Sequence, residues 1–361
     1  MEVMTVLQSK KTEYQNMLKR NILIIAGLFV SLFVFTLISV FVGQAKLSLW
    51  DSVKAFFGAG AEQNVRIVHY VRLPRIVAAI VVGFGLAVSG CVLQTVLQNP
   101  LASPSSLGVS QSAVFGANLA IVLGAGAYVG TSGALNINNP YVVTVVAFVF
   151  SFATVLVVVG ISKFKNFSPV TVILLGVAAT GLFSALTTLL QYMASDQVLS
   201  WAVYWSFGDL SRASYLKITI ISAIVVPSFI VFYLFRWKYN ALSGGDETAK
   251  SLGVNLNVVR FVSLILSSLI TAVCVSFVGV IGFVGIVCPQ LLKRFVGSDN
   301  RFLLPASGLF GSLLLVISDT LARLVVSGMN LPVGAVTAIL GTPIFVYILL
   351  RKEGNVYGKR S

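Results

Sequence analysis

The chain has 361 residues, of which 57% are hydrophobic and only 10% charged, and its formal net charge is +14 at pH 7. A water-soluble domain carries about 25% charged residues, so this composition cannot cover a water-facing surface, and a mean hydropathy of +0.95 makes lipid the fitting solvent. The positive charge sits in short segments between apolar runs, not in a basic stripe interleaved with exposed aromatics, which sets nucleic acid aside as a partner.

Lys10, Lys11, Lys19 and Arg20 precede an apolar run from Ile22 to Val42. That run exceeds the roughly 7–15 apolar residues of a removable signal and is long enough for a hydrocarbon layer of about 30 Å. It reads as a retained first span with its basic end inside. Nine further apolar runs follow, so the expected spans are 22–43, 73–97, 109–126, 140–161, 169–193, 216–236, 257–277, 280–296, 304–325 and 333–350. Between the first two, Leu47, Leu49, Trp50, Val53, Phe56 and Phe57 suit a short helix lying in the interface. Trp201, Tyr204, Trp205 and Phe207, in the segment 195–214, suit an aromatic belt at the outer surface. The chain thus reads as an all-α integral membrane protein. A cytoplasmic segment 1–21 leads into one transmembrane domain, 22–350, with a cytoplasmic loop at 237–256, and a cytoplasmic tail covers 351–361.

Charge placement checks this topology. With ten spans and an inner N-terminus, 17 of the 25 Lys and Arg residues fall inside, including Lys163, Lys165, Arg236, Lys238, Lys250, Arg260, Lys293, Arg294 and the tail Arg351–Arg360. The outside holds Lys46, Lys54, Arg66, Arg72, Arg75, Arg212, Lys217 and Arg323. This is the positive-inside bias. Two halves of five spans would run in opposite orientations, as inverted repeats do in transporters, although internal similarity is too weak to establish a repeat.

Little in the sequence can do covalent chemistry. Cys91, Cys274 and Cys288 lie apart within apolar runs, and His69 is the single histidine, so no metal site and no cofactor are expected. No G-x-x-x-x-G-K-[ST] phosphate loop exists. LSGGD (Leu242–Asp246) is similar to an ATPase signature but cannot bind nucleotide without that loop. It reads instead as a glycine turn before a short helix at 246–252, with Asp246 capping its start, Glu247 favouring the positive dipole end and Gly253 ending it. Of eleven acids only Asp319 falls within a span, and Arg323 four residues on can pair with it. Such a scarcity of intramembrane acids speaks against an ion-coupled carrier. Gly83, Gly85, Gly90, Gly279, Gly282, Gly285, Gly308 and Gly311 permit close helix contact. Pro100 and Pro104, and Pro289 in the eighth span, suggest broken helices and a gate near Asn99–Ser106.

Five strings in order resemble one family: RLPR (Arg72–Arg75), SGCVLQTVLQNPLASPSSLGVSQSA (Ser89–Ala113), GDETAKSLGVN (Gly245–Asn255), GFVGIVCPQLLKR (Gly282–Arg294) and LPVGAVTAILGTPIFVYILLRK (Leu331–Lys352). They are similar to the permeases of iron-siderophore, haem and cobalamin ABC importers, the FecCD type, over nearly the whole chain. The resemblance implies the type II importer fold of ten spans in a bacterial cytoplasmic membrane, with both termini cytoplasmic. It also implies a second permease, identical or paralogous, two cytoplasmic ABC ATPases and an extracellular substrate-binding protein as partners. By position it makes Ser243, Gly244, Gly245, Asp246, Glu247, Thr248, Ala249, Leu252 and Gly253 the ATPase-coupling segment. Arg72, Arg75 and Arg323 become docking residues for the binding protein, with interfacial snorkelling as the alternative. Asn99, Pro100, Leu101, Ser168, Pro169 and Thr171 become a cytoplasmic gate. Pro289-Gln290 stands where the family usually has Pro-His. The expected cargo is a ferric siderophore. Haem or cobalamin on the same architecture, an ATP-independent carrier or channel, and a scaffold without transport stay open.

Overall fold

A computed structural model describes residues 2–43, 45, 47–124, 127–129, 135–137, 140–326 and 331–353. The end of the expected tail, 354–361, and Lys46 lie outside the described residues. The described chain is helical apart from one two-stranded antiparallel hairpin. In order it forms α1 (Glu2–Phe41), α2 (Leu49–Phe56), α3 (Glu62–Arg66), α4 (Leu73–Val96), α5 (Val109–Val122), the hairpin β1 (Ala127–Val129) and β2 (Leu135–Ile137), α6 (Pro140–Lys163), α7 (Pro169–Tyr192) and α8 (Asp196–Ser206). There follow α9 (Tyr215–Leu234), α10 (Arg236–Ser243), α11 (Asp246–Ser251), α12 (Leu256–Val278), α13 (Val284–Val296), α14 (Asn300–Leu324) and α15 (Val333–Glu353).

Seven of the described helical stretches are long and apolar enough to cross a membrane: Lys11–Phe41, Glu62–Val96, Tyr141–Lys163, Pro169–Tyr192, Tyr215–Leu234, Leu256–Val278 and Asn300–Leu324. The other three expected spans are α5, α13 and α15. Two of them are corrected in form. The third, read as 109–126, is a helix of 14 residues, and the eighth, read as 280–296, one of 13. At 1.5 Å per residue each covers about 20 Å, less than the hydrocarbon thickness.

The break before α13 is not at Pro289, which lies inside the helix. It is the extended segment between α12 and α13, where Gly279 adopts φ +78° and Phe283 φ +66°. A Cβ on Gly279 would also meet the Phe207 carbonyl at 2.6 Å. Non-helical backbone at this depth needs protein partners, and it finds them in the 207–209 segment. Phe207 bridges Val280, the Asp209 amide donates to the Val278 carbonyl (2.8 Å), and the Val333 amide donates to the Gly208 carbonyl (2.8 Å). Pro289 instead removes the amide that would have bonded the Gly285 carbonyl. The Gln94 amide donates to that carbonyl and to that of Ile286, both at 3.2 Å.

Burial sorts the helices into two shells. The most apolar 18-residue stretches of Glu62–Val96 and of α14 are each 78% buried, that of α12 67%, but those of α1 and α7 only 11% and 17%. Thus α4, α12 and α14 form the interior, and the outer helices present apolar faces to lipid or to partners. Glycine sets the central spacing. A Cβ on Gly83 would overlap the Gly311 carbonyl, and one on Gly90 the Gly285 carbonyl, so α4 lies backbone-to-backbone against α14 and α13. Just before α4, a π turn at Ile67–Arg72 carries the Leu73 amide back to the Val68 carbonyl. This wider turn relieves the clash that Pro74 would make with a regular helix.

Candidate functional site

Chemistry-bearing residues gather at the two ends of the bundle. The basic end holds the 243–253 segment and the two segments expected to gate. α10 and α11 meet at Gly244-Gly245, and Gly245 takes φ +102°. Gly245, not Asp246, is the N-cap of α11, and no side chain caps it. The capping role assigned to Asp246 is therefore corrected. Its carboxylate turns toward the membrane helices, accepting from Arg260 Nη2 at 2.8 and 2.9 Å and from Gln98 Nε2 at 2.9 Å. Arg260, one turn into α12, is 3% exposed and also donates from Nε to the Val96 carbonyl at 3.3 Å. Gly253, at φ +76°, ends α11 as its position after the last turn requires. Ala249 faces inward, while Ser243, Gly244, Glu247, Thr248, Leu252 and Gly253 are exposed. Glu247 accepts from Lys250 at 2.8 Å and raises the lysine pKa. Burial raises that of the Tyr239 hydroxyl in α10, which pairs with Ser263 at 2.8 Å.

α4 stops at Val96, and Gln98 turns the chain with φ +47°, a conformation uncommon for a residue with a Cβ. Gln98 Nε2 also donates to the Leu242 carbonyl at 3.3 Å. Asn99 Oδ1 accepts from the Leu101 amide at 2.9 Å, the Pro100 carbonyl accepts from Gln290 Nε2 at 3.2 Å, and the Leu101 side chain is 49% exposed. Gln290 Nε2 also donates to Gln94 Oε1 at 2.6 Å. A polar cavity of about 440 Å³ lies between this turn, Ser243–Gly245 and Lys293. Ser168 and Pro169 open α7, and Thr171 is half-buried one turn in. Ser168 and Pro169 border a second cavity, of about 590 Å³, whose other wall includes Asp246, Lys250 and Arg260. The chain at Ser106–Gly108 packs closely on α7, at Gly176 and Ala179.

The opposite end holds the arginines expected to dock a partner. Arg72, Arg75 and Arg323 are 3%, 4% and 6% exposed in the single chain and have acceptors within it. Arg75 Nε donates to Asp319 Oδ1 at 2.6 Å, and Arg323 Nε lies 3.1 Å from Asp319 Oδ2. Asp319 and Arg323 thus meet in an ion pair with Arg75 as third member. Arg72 donates to the carbonyls of Val40 (2.7 Å), Phe41 (3.1 Å) and Ala45 (2.8 Å). Arg323 donates to Ser39 Oγ (2.6 Å) and the Val42 carbonyl (3.3 Å). The Val40 and Phe41 carbonyls are unpaired C-terminal acceptors of α1, where positive charge is favoured. His69 Nε2 lies 3.2 Å and 3.1 Å from the Ala55 and Phe56 carbonyls at the end of α2.

Gln94, Gln98, Arg260 and Gln290 were missed as site residues. The signal for Arg260 was available: an arginine one turn into an apolar span needs a counter-charge, and Asp246 precedes it by fourteen residues. Nothing in sequence marked Gln94 or Gln98, and Gln290 stood out only as a departure from the family's Pro-His. Among the described residues no group of three or more His, Cys, Asp or Glu could hold a metal ion.

Residues 29–351 match the model of the FecCD transport family. A provisionally named ABC transporter permease protein of Methanocaldococcus jannaschii is 44% identical, over 95% of this chain and 99% of its own length. The hemin transport system permease protein of Yersinia pestis is 36% identical, over 78% and 83%. The fold is similar to a solved structure described as an inward-facing conformation of a provisionally assigned metal-chelate type ABC transporter, with TM-score 0.79, 30% identity, and coverage of 91% of this chain and 99% of that one.

Proposed function

The chain belongs to the FecCD transport family, and from that premise we propose that this ABC importer permease carries a ferric siderophore across a bacterial cytoplasmic membrane. The observation that carries the cargo reading is the likeness, over 91% of the chain, to a structure assigned to the metal-chelate type. By the positive-inside rule the basic end is cytoplasmic, which places both termini, the 243–253 segment and the two gate segments inside. The chain has no phosphate loop. The exposed face of α11, with Glu247, Thr248 and Leu252, is then the surface on which a partner ATPase acts. Two such ATPases, a second permease and an extracellular binding protein complete the machine. The binding protein meets the end that carries α2 and Arg66. Arg72, Arg75 and Arg323 lie beneath that end, where reversing their charges tests folding as well as docking.

Uptake by proteoliposomes holding the assembled complex tests the cargo, with radiolabelled ferric trihydroxamate, haem and cobalamin offered in parallel. ATP-dependent accumulation of the ferric trihydroxamate is expected. Accumulation of haem alone supports the second reading, which the Yersinia pestis relative favours. Accumulation unchanged when ATP is withheld defeats the reading altogether.

A further inference from the structure

We propose that Asp246, Arg260 and Gln98 form a joint that passes displacement of the α11 segment to the turn at Asn99–Leu101; the proposal rests on the importer reading above. α11 is six residues long, too short to hold its own position by helix cooperativity. Beside the packing of buried Ala249, its polar tie to the membrane helices is one carboxylate. Asp246 accepts three hydrogen bonds, two from Arg260 and one from Gln98. Arg260 is buried and anchored in turn on the Val96 carbonyl at the last residue of α4. Gln98 is the second residue after that helix end and comes just before Asn99, Pro100 and Leu101.

The joint therefore holds both sides of the point where α4 stops. Gln98 is the only described residue between α4 and α5, glycine apart, with a positive φ. Its backbone is held there while its amide bridges Asp246 and the Leu242 carbonyl. On the far side of the turn, Gln290 holds the Pro100 carbonyl to α13. A pull on α11 thus loads a turn clamped at both ends, beside a polar cavity lined by Gln98, Asn99 and Pro100. Charge makes the joint stiff, because an ionised carboxylate paired with a buried guanidinium cannot let go without leaving a charge unpaired. Asp246 is in this account a positioning residue. The ATPase would press on the exposed face formed by Glu247, Thr248 and Leu252, and Asp246 would convert that push into motion of the Gln98 turn.

The test reads the turn without needing the cargo. Leu101 is half-exposed and the native cysteines are all buried, so a Leu101→Cys background labels selectively with a water-soluble maleimide. In the assembled complex, vanadate trapping of nucleotide is expected to change the labelling rate about fivefold or more, the scale of an ordinary coupling between sites. Gln98→Ala and Arg260→Gln should cut that change to less than about twofold at equal trapped nucleotide, and Asp246→Glu should restore part of what Asp246→Asn loses. Background-sized responses in Gln98→Ala and in Asp246→Asn overturn the joint. If Arg260→Gln fails to assemble, the more exposed Gln98→Ala decides. If the Leu101→Cys background itself shows no response to trapping while uptake remains ATP-driven, the joint is overturned and the importer reading stands. If uptake also ignores ATP, both fall.

Discussion

Asp319 is a buried carboxylate inside a membrane-spanning helix, and two buried arginines share it. A buried ion pair adds little net stability over an apolar pair, but removing one partner strands the other charge, at a cost of about 3–5 kcal/mol. Asp319→Asn should therefore lower the thermal stability of the purified protein markedly, read as a fall in the melting midpoint of the monodisperse peak on size-exclusion chromatography. Asp319→Asn combined with Arg75→Gln should lose less than the sum of the two single changes, because the groups act as one network. Additive losses would show that the three residues are energetically independent. The i,i+4 spacing made the pairing of Asp319 with Arg323 legible in the sequence. The third member was not, since Arg75 lies 244 residues away and only the packing of α4 on α14 brings it across.

At the scale of elements, the contact of α4 with α13 is set by two glycines whose backbones touch. Gly90→Val would drive a branched side chain into the Gly285 carbonyl and should cost at least about 1–3 kcal/mol. Gly160→Ala, where a Cβ meets nothing within 4 Å, should stay within about 0.5 kcal/mol of wild type. The same chromatographic melt compares them, and equal midpoints would refute the packing account. Long apolar helices were readable from hydropathy, because length and residue type alone decide them. The half-helices were not. Hydropathy counts Gly279 to Phe283 as ordinary apolar residues, whereas their extended course depends on Gly279 at positive φ, on the bridge from Phe207 to Val280 and on the Asp209 amide donating to the Val278 carbonyl. The inward turn of Asp246 was hidden for a related reason. An acid after two glycines fits a helix cap equally well until Arg260 is seen behind it.

For the whole molecule, the two shells of helices and the uneven basic charge yield a labelling pattern. Cysteines placed at Glu13 and Lys250 should react with an impermeant maleimide only from the cytoplasmic face, and one at Glu62 only from outside, against a low background from the three buried native thiols. Reaction of all three from one face would break the ten-span topology. The capped end of α1 has a consequence in time. The terminal Val40 and Phe41 carbonyls are met by Arg72, which follows Phe41 by only 31 residues. Ser39 Oγ and the Val42 carbonyl instead wait for the Arg323 guanidinium, which follows Val42 by 281 residues. At ordinary translation speeds that delay is roughly 15–55 s, so the exit from α1 is fixed early and its tie to α14 closes only late in synthesis.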